Sequence, residues 1–242
     1  MTTGLDAAVP GSAGSLRDAR GRTKRKLRLS LTDRCNLRCL YCMPEKPVWL
    51  PRTERLSRDE LVELARVFIR DLGITELRLT GGEPLLRSDV VEIVRDLDAL
   101  RPLGLARIAM TSNGGLLPRY AAELKAAGLD DLNVSLDAID AETFRRLTRG
   151  DVHAVLRGIA AAQDAGLPVK LNCVVVRDYN EDQVLPLARW AQQAGLPLRF
   201  IEFMPLDGRG LWTRDKVVTE AEILDAVGRE FSVRRLPRTA EP

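Results

Sequence analysis

The sequence predicts an α/β fold, an open partial (β/α)6 TIM-like barrel of parallel strands with outer helices. Six apolar strand-like runs alternate with five helical runs, glycines follow several of the helical runs, and 242 residues suffice for one large core. Strict alternation requires crossover connections, which produce a parallel sheet. Since six strand–helix units are two short of the eight that close a TIM barrel, we expect a wide lateral mouth.

Each element is predicted from the spacing of its apolar residues. Strands are assigned where apolar and polar residues alternate or where a short apolar run lies between turn signals. Helices are assigned where apolar residues recur every three or four positions. In chain order the elements are strand 27–31, helix 58–71, strand 76–80, helix 89–99, strand 106–111, helix 118–127, strand 131–136, helix 152–165, strand 169–176, helix 182–194 and strand 198–203.

The barrel is expected to occupy residues 25–218. Residues 1–24 are rich in Gly, Ser, Ala, Thr and Arg and lack apolar periodicity, which predicts a flexible basic N-terminal arm. Residues 219–242 are expected to form a short C-terminal helix and tail.

Composition excludes several classes of function. Hydrophobic residues make up 45% and charged residues 29%, as in ordinary globular proteins, and a net charge of +3 does not favour nucleic acid as a partner. The sequence contains no run of about 18 apolar residues and no secretory signal, so we expect no membrane partner. Unpaired thiols favour a reducing compartment, and we expect a cytoplasmic protein.

Three cysteines, Cys35, Cys39 and Cys42, form a C-x3-C-x2-C loop directly after the first predicted strand. This spacing favours a single inorganic cluster, and because iron–sulfur clusters usually have four cysteine ligands, one iron would lack a protein ligand. An open coordination position is typical of a reactive metal centre. The loop is therefore interpreted as a reactive centre.

Other interpretations of the loop remain open from the residues alone. A disulfide would leave one thiol unpaired, and a structural zinc ion requires four ligands. His153 and Cys173 are the candidates for a fourth ligand, but both lie far along the chain in segments predicted to be regular structure. We interpret His153 as a surface helical residue and Cys173 as a buried structural thiol.

The other distinctive segments also follow predicted strands. Because the C-terminal ends of parallel strands meet on one rim, these segments predict one large site. They are 80–84 (Thr-Gly-Gly-Glu-Pro), 111–114 (Thr-Ser-Asn-Gly), 135–137, 177–178 and 202–205. The Gly81–Gly82 pair allows a tight turn and a close approach to a ligand, or it forms an ordinary βα turn. Met204 is either core filler or part of the site.

Strand alternation predicts a polar barrel interior. Leu27, Leu29 and Leu31 share the face toward the helices, so Arg28 points inward, and the same pattern places Arg78 and Lys170 inward. Buried cations without partners are unfavourable, so they require either an anionic ligand or internal pairing. The candidates for internal pairing are Glu76, Asp137 and Glu202, and we favour an anionic substrate because Arg suits phosphate and carboxylate groups.

The C-x3-C-x2-C loop after a first strand resembles the signature of radical S-adenosylmethionine (SAM) enzymes. The resemblance implies a [4Fe-4S] cluster on Cys35, Cys39 and Cys42, with SAM bound to its fourth iron. It also implies that the Gly-Gly-Glu-Pro segment contacts the amino group of SAM, with Glu83 as an acceptor.

Longer motifs are similar to those of the GTP 3′,8-cyclase family of molybdenum cofactor biosynthesis. They are 29–35 (LSLTDRC), 78–87 (RLTGGEPLLR), 133–137 (NVSLD) and 199–205 (RFIEFMP), and the similarity runs from about residue 27 to 218. By motif position it implies GTP contacts at Arg28, Arg78, Thr111 and Lys170. It implies SAM contacts at Tyr41, Gly82, Ser135 and Met204.

The resemblance implies a radical lyase reaction. SAM is cleaved reductively, the C3′ hydrogen of GTP is abstracted, and the C3′ radical attacks C8 of guanine. The implied partners are GTP, a reducing electron donor and the enzyme of the next molybdopterin step, while the sequence leaves open whether the chain forms a homodimer.

The sequence departs from the family pattern at its C-terminal end. The family has a C-terminal second cluster site with three cysteines, whereas this sequence has no cysteine after Cys173. We therefore expect one cluster, and three explanations stay open: a truncated cyclase, a two-chain cyclase, or a shortened enzyme acting on another phosphorylated substrate. A non-catalytic iron–sulfur or nucleotide-binding remnant is the alternative from another class.

Overall fold

The computed structural model describes residues 14–205, 209–234 and 236, and these contain a six-stranded parallel sheet. The strands are ordered as in the chain, and each pairs with the next, so the barrel is open between the first and last strands. This arrangement confirms the predicted partial barrel. The strands are β1 Lys26–Ser30, β2 Glu76–Thr80, β3 Arg107–Ser112, β4 Asp131–Ser135, β5 Val169–Val175 and β6 Leu198–Glu202.

Seven α-helices lie within the described residues. Five agree with the predicted helices to within two residues at each end, and the last of these five is preceded by a separate 3-10 helix at Glu181–Gln183. The helices are α1 Arg58–Arg70, α2 Val90–Asp98, α3 Leu117–Ala126, α4 Ala141–Thr148, α5 Val152–Asp164, α6 Val184–Gln193 and α7 Glu220–Gly228. Helix α4 was not predicted; it begins after Asp140, whose side chain accepts a hydrogen bond from the Thr143 backbone N–H.

The hydrophobic core lies between the outer face of the sheet and the helices. Leu79, Ile108, Val134 and Leu171 are fully buried on this face. The burial of Leu29 and Leu31 confirms the face predicted for the β1 leucines. Cys173 is buried on the outer face and His153 is exposed on α5, both as expected.

The segment before β1 contacts the end of α1. The Gly14 N–H donates to the carbonyl oxygen of Asp71 at 2.9 Å, and Arg17 and Thr23 form an antiparallel bridge around a turn. We predicted a flexible arm over residues 1–24, of which 1–13 lie outside the described residues. The flexibility stays a prediction.

The segment after β6 leads into α7. Helix α7 begins with a capping box between Thr219 and Glu222, and Glu222 also accepts a hydrogen bond from Arg177 at 2.6 Å. None of the described helices has the length and apolarity that a bilayer crossing requires.

Candidate functional site

The loops after β1 and β2 are in direct backbone contact at the C-terminal rim of the sheet. The Gly82 N–H donates to the Thr32 carbonyl oxygen and the Glu83 N–H to the Arg34 carbonyl oxygen, both at 2.7 Å. A Cβ atom on Gly81 or Gly82 would lie 2.3 Å from one of these two oxygens. The glycine pair is therefore required by the approach of two loops of the chain itself. The contact of Gly82 with SAM stays a prediction.

The cysteine loop is also anchored to α4 and to the end of β4. Its Arg38 and Leu40 backbone N–H groups donate to the last two carbonyl oxygens of α4, at 2.8 and 2.9 Å. The Tyr41 hydroxyl donates to Asp137 at 2.6 Å. These contacts fix the loop over the open end of the barrel, where α4, absent from the sequence prediction, acts as its support.

Asp137 is a buried carboxylate that connects the loop to the sheet. One oxygen accepts from Tyr41, and the other accepts from the Val174 backbone N–H at 2.9 Å. Burial raises the pKa of Asp137 to about 6, although both hydrogen bonds act in the opposite direction. Burial likewise raises the pKa of the Tyr41 hydroxyl, which therefore stays a donor.

The three loop thiols lie close enough to interact electrostatically. Burial raises the pKa of Cys35, Cys39 and Cys42, and the negative charge of a neighbouring thiolate raises the pKa of Cys39 and Cys42 further. All are free cysteines, and the Leu37 N–H donates to the Cys35 sulfur at 3.4 Å. A group of thiols that cannot ionise together without a counter-charge fits a positively charged metal centre.

The three loop thiols are candidate ligands of an iron–sulfur cluster. Among the described residues, no group of three His, Cys, Asp or Glu side chains converges on a point that would hold one metal ion. In a cubane each thiolate binds a different iron, so the ligands surround a cluster and do not meet at one point. The three free thiols of the loop could therefore each bind a different iron of a [4Fe-4S] cluster.

Glu83 connects the β2 loop to the β3 loop. Its carboxylate accepts hydrogen bonds from the Ser112 hydroxyl at 2.9 Å and from the Asn113 backbone N–H at 2.7 Å. The Asn113 side chain in turn donates to Asn36 of the cysteine loop at 2.8 Å. Glu83 thus supports the cysteine loop through one intermediate residue.

The burial of Glu83 bears on its predicted contact with SAM. The residue has no exposed surface, and burial raises the pKa of its carboxyl against three hydrogen bonds that lower it. Its contacts within the chain give it a positioning role, which the sequence did not indicate. The predicted direct contact with SAM stays a prediction.

The inner face of the sheet carries cations without counter-ions. The strand register places Arg28 beside Arg78, and Lys170 beside Asn133. The three carboxylates considered as internal partners bind elsewhere: Glu76 pairs with Lys26 and Arg107, Asp137 accepts from Tyr41, and Glu202 accepts from the Glu220 backbone N–H. Within the described part of the chain, no ion pair neutralises the three inward cations.

Arg78 is the most constrained of these cations. Its Nη1 atom is buried and has no hydrogen-bond partner in the described structure. Burial lowers the pKa of Arg78, as do the positive charges of Arg107, Arg28 and Arg199, and Asp131 offsets them in part. A partly buried guanidinium among like charges is a site for an anion.

Arg199 belongs to this group, although the sequence analysis did not single it out as a site residue. It lies level with Asn172 on the inner face, and Asn172 has a buried Oδ1 atom without a partner. The alternation of Leu198 and Phe200 toward the core was the available signal, since it places Arg199 inward.

The remaining predicted site residues lie along the same interior and rim. Thr111 and Ser135 are partly exposed on the inner face, level with Asn133 and Asn172 respectively. Met204 is 52% exposed just after β6, close to residues 206–208, which lie outside the described range. Their contacts with GTP or SAM stay predictions.

Comparisons with known proteins agree with the fold and the cysteine loop. The model of the radical SAM superfamily matches residues 29–191. Crystal structures of Streptococcus suis SuiB bound to the precursor peptide SuiA and of methylornithine synthase (PylB) each superpose with a TM-score of 0.65. The SuiB structure is 14% identical and the alignment covers 77% of this chain and 41% of SuiB; for PylB the values are 18%, 84% and 60%. The chain belongs to the radical SAM superfamily.

Curated relatives define the family within that superfamily. The GTP 3′,8-cyclase of Paenarthrobacter nicotinovorans is 46% identical over 98% of this chain and 67% of its own length. That of Streptomyces coelicolor is 48% identical over 89% of this chain and 64% of its own length. The chain belongs to the GTP 3′,8-cyclase family, and it spans about two thirds of the length of these relatives. Membership of the superfamily implies a [4Fe-4S] cluster and SAM.

Proposed function

We propose that the chain is a radical SAM GTP 3′,8-cyclase. It would convert GTP to (8S)-3′,8-cyclo-7,8-dihydroguanosine 5′-triphosphate in molybdenum cofactor biosynthesis. The observation that carries the proposal is a set of inward cations that have no counter-ion in the described structure. They are Arg28, Arg78, Lys170 and Arg199, on the inner face of the open barrel whose C-terminal rim carries the cysteine loop. Family membership adds the class of reaction.

The cations would bind the triphosphate of GTP. Arginine donates several N–H groups in a planar fork that matches phosphate oxygens, and Arg78 already has a buried donor without a partner. Thr111, on the same face, would donate its hydroxyl to GTP.

The loop residues would hold the cofactors. Cys35, Cys39 and Cys42 are proposed as the ligands of the one cluster, with Tyr41, Gly82, Ser135 and Met204 as contacts of SAM and Glu83 as the support of the Asn113 loop. When bound, the cluster and SAM supply the radical chemistry that removes a hydrogen atom from C3′ of GTP. We place the reaction in the cytoplasm, where an electron donor would supply the reducing equivalent.

The chain's own contribution is position and exclusion of water. Two segments that cover the open end are fixed by backbone hydrogen bonds, the cysteine loop on α4 and the Gly81–Gly82 turn on the cysteine loop. A small apolar cavity of about 40 Å³ beside Tyr41 is lined by Leu40, Leu147 and Phe203. By holding GTP in one position beneath these segments, the chain would limit competing reactions of the reacting atoms.

The test is anaerobic reconstitution with iron and sulfide, followed by incubation with dithionite, SAM and GTP. We expect both 5′-deoxyadenosine and the cyclised nucleotide by mass spectrometry. Formation of 5′-deoxyadenosine without the cyclised nucleotide would indicate another substrate. Absence of 5′-deoxyadenosine from a protein with a full cluster would refute the enzymatic proposal.

Two cysteine variants test the proposed cluster ligands, one as the test variant and the other as its matched control. Cys39→Ala removes a proposed cluster ligand and should abolish the visible absorbance of the cluster. Cys173→Ala removes the buried thiol on the outer face of β5 and should retain the cluster absorbance. Equal absorbance in both variants would remove Cys39 from the ligand set.

A further inference from the structure

A basic cavity of about 680 Å³ lies outside the barrel interior, beside the loop that follows β1. It is lined by the segment before α1 and by the loop between β2 and α2. None of the inward residues of the strands, the three loop cysteines or the residues predicted to contact SAM lines it. The cavity is therefore separate from both proposed sites.

The charge of the cavity wall is strongly unbalanced. It contains five arginines, Arg34, Arg52, Arg55, Arg58 and Arg87, and one carboxylate, Asp89. Arg87 donates two hydrogen bonds to Asp89, and Arg58 pairs with Asp96 outside the wall. These two pairs account for two of the five positive charges.

The other three arginines have no counter-ion in the described part of the chain. The guanidinium groups of Arg34 and Arg52 make no hydrogen bond or ion pair there. Arg55 donates to the Thr32 hydroxyl at 3.3 Å, and its Nε atom is buried without a partner. Three like charges around one cavity repel one another unless an anion lies between them.

The size and donors of the cavity indicate the class of anion. A volume of about 680 Å³ lies within the usual range of small-molecule sites, and arginine forks match phosphate oxygens. Three unpaired cations match the charge of a diphosphate or triphosphate group better than that of one carboxylate.

We propose that this cavity is a second binding site, for the polyphosphate group of a small molecule. The anion would be bridged by Arg34, Arg52 and Arg55. Because Arg34 precedes Cys35 and its carbonyl oxygen accepts from Glu83, the anion would bind to the backbone segment on which the Gly81–Gly82 turn packs. The inference does not depend on the identity of the substrate in the barrel.

The test is calorimetric titration of the whole chain with inorganic tripolyphosphate and, separately, with GTP. Three variants are compared with the wild type: Arg52→Ala/Arg55→Ala in the cavity, Arg78→Ala in the barrel, and Arg119→Ala/Arg157→Ala as a control. Arg119 and Arg157 are exposed on α3 and α5, so the control loses the same two charges elsewhere.

We expect the cavity variant to bind tripolyphosphate at least about tenfold more weakly than the wild type, as the loss of charge-assisted hydrogen bonds predicts. The Arg119→Ala/Arg157→Ala control should retain this binding, and Arg78→Ala should weaken only the binding of phosphate groups in the barrel. If the cavity variant binds GTP more weakly but tripolyphosphate normally, the cavity binds a nucleotide. If it binds both ligands more weakly, phosphate groups suffice for binding.

Two results would overturn the proposal. One is unchanged binding of both ligands in the cavity variant, and the other is equal weakening in the control, which would indicate non-specific attraction. If the double variant does not fold, Arg52→Gln gives the same test, because Arg52 is exposed on a short 3-10 turn.

Discussion

On the inner face of the sheet, charged side chains at the start of the strands form ion pairs, whereas, within the described residues, those two positions further along do not. At the start of β1 to β4, cations and carboxylates alternate: Lys26 pairs with Glu76 at 3.5 Å, and Arg107 pairs with Glu76 at 3.7 Å and with Asp131 at 2.6 Å. Two residues further along β1 and β2, Arg28 and Arg78 lie side by side without such partners in the described structure.

This difference distinguishes charged residues that stabilise the fold through ion pairs from charged residues that are available to bind a ligand. A buried ion pair contributes little net stability. Removing one partner is nevertheless strongly destabilising, because the other charge stays buried without compensation. A cation without a partner already carries its desolvation cost, and removing it relieves that cost. The same substitution, arginine to alanine, should therefore have opposite consequences in the two regions.

The largest expected effect is on folding, in Arg107→Ala. Asp131 is 5% exposed, one of its carboxylate oxygens already lacks a partner, and the other would lose the Arg107 hydrogen bond. We expect the free energy of unfolding to fall by about 3 kcal/mol, the lower end of the cost of breaking a buried pair, since Arg107 is partly exposed. Urea unfolding followed by circular dichroism measures it. An unchanged midpoint would show that the pair has no structural role.

The next effect is on ligand binding, in Arg78→Ala. GTP should bind more weakly by about 1.5–3 kcal/mol, the range for a charge-assisted hydrogen bond, and the free energy of unfolding should not fall. Equilibrium dialysis with GTP gives the affinity, and Arg107→Ala is the matched control. Unchanged GTP affinity would remove Arg78 from the substrate site, and a large loss of stability would mean that the two regions do not differ.

The division between the two regions was only partly predictable from the sequence. Period-two alternation identified Arg28, Arg78 and Lys170 as inward residues, because a strand directs alternate side chains to opposite faces. Pairing depends on register between strands that lie 24 or more residues apart in sequence, as Arg107 and Asp131 do. Local patterns carry no such register, so Glu76 was considered as a partner for Arg28 and Arg78 but pairs with Lys26 and Arg107.

In the loops, too, contacts between residues far apart in sequence could not be predicted. The positions of the cysteine loop and the Gly81–Gly82 turn at strand ends were predicted, because motif and strand are adjacent in sequence. The positioning role of Glu83 could not be predicted, since its partners Ser112 and Asn113 lie on another loop. Helix α4 was missed because it is only eight residues long and too short for a clear apolar period, yet its last carbonyl groups hold the cysteine loop.

A smaller effect on GTP affinity is expected from Arg199→Ala. Arg199 lies on the inner face but is exposed, so solvent screens its charge more than that of Arg78. We expect GTP to bind more weakly by about 1 kcal/mol, near the average for a hydrogen bond, with unfolding unchanged. The same dialysis experiment applies, with the exposed Arg157→Ala as a control. Equal affinity in both variants would exclude Arg199 from the group that binds the substrate.

The smallest effect is the response of the two regions to salt. Raising the ionic strength from about 0.1 M to about 1 M shortens the Debye length from about 10 Å to about 3 Å, which screens charges that attract a ligand from solvent. The Arg107–Asp131 hydrogen bond is short and its carboxylate is buried, so salt should change the free energy of unfolding little. GTP affinity should fall by a few-fold over the same range, measured by dialysis in potassium chloride. If stability fell as steeply as affinity, the paired charges would be as exposed to solvent as the unpaired ones, and the contrast between the two ends of the inner face would be lost.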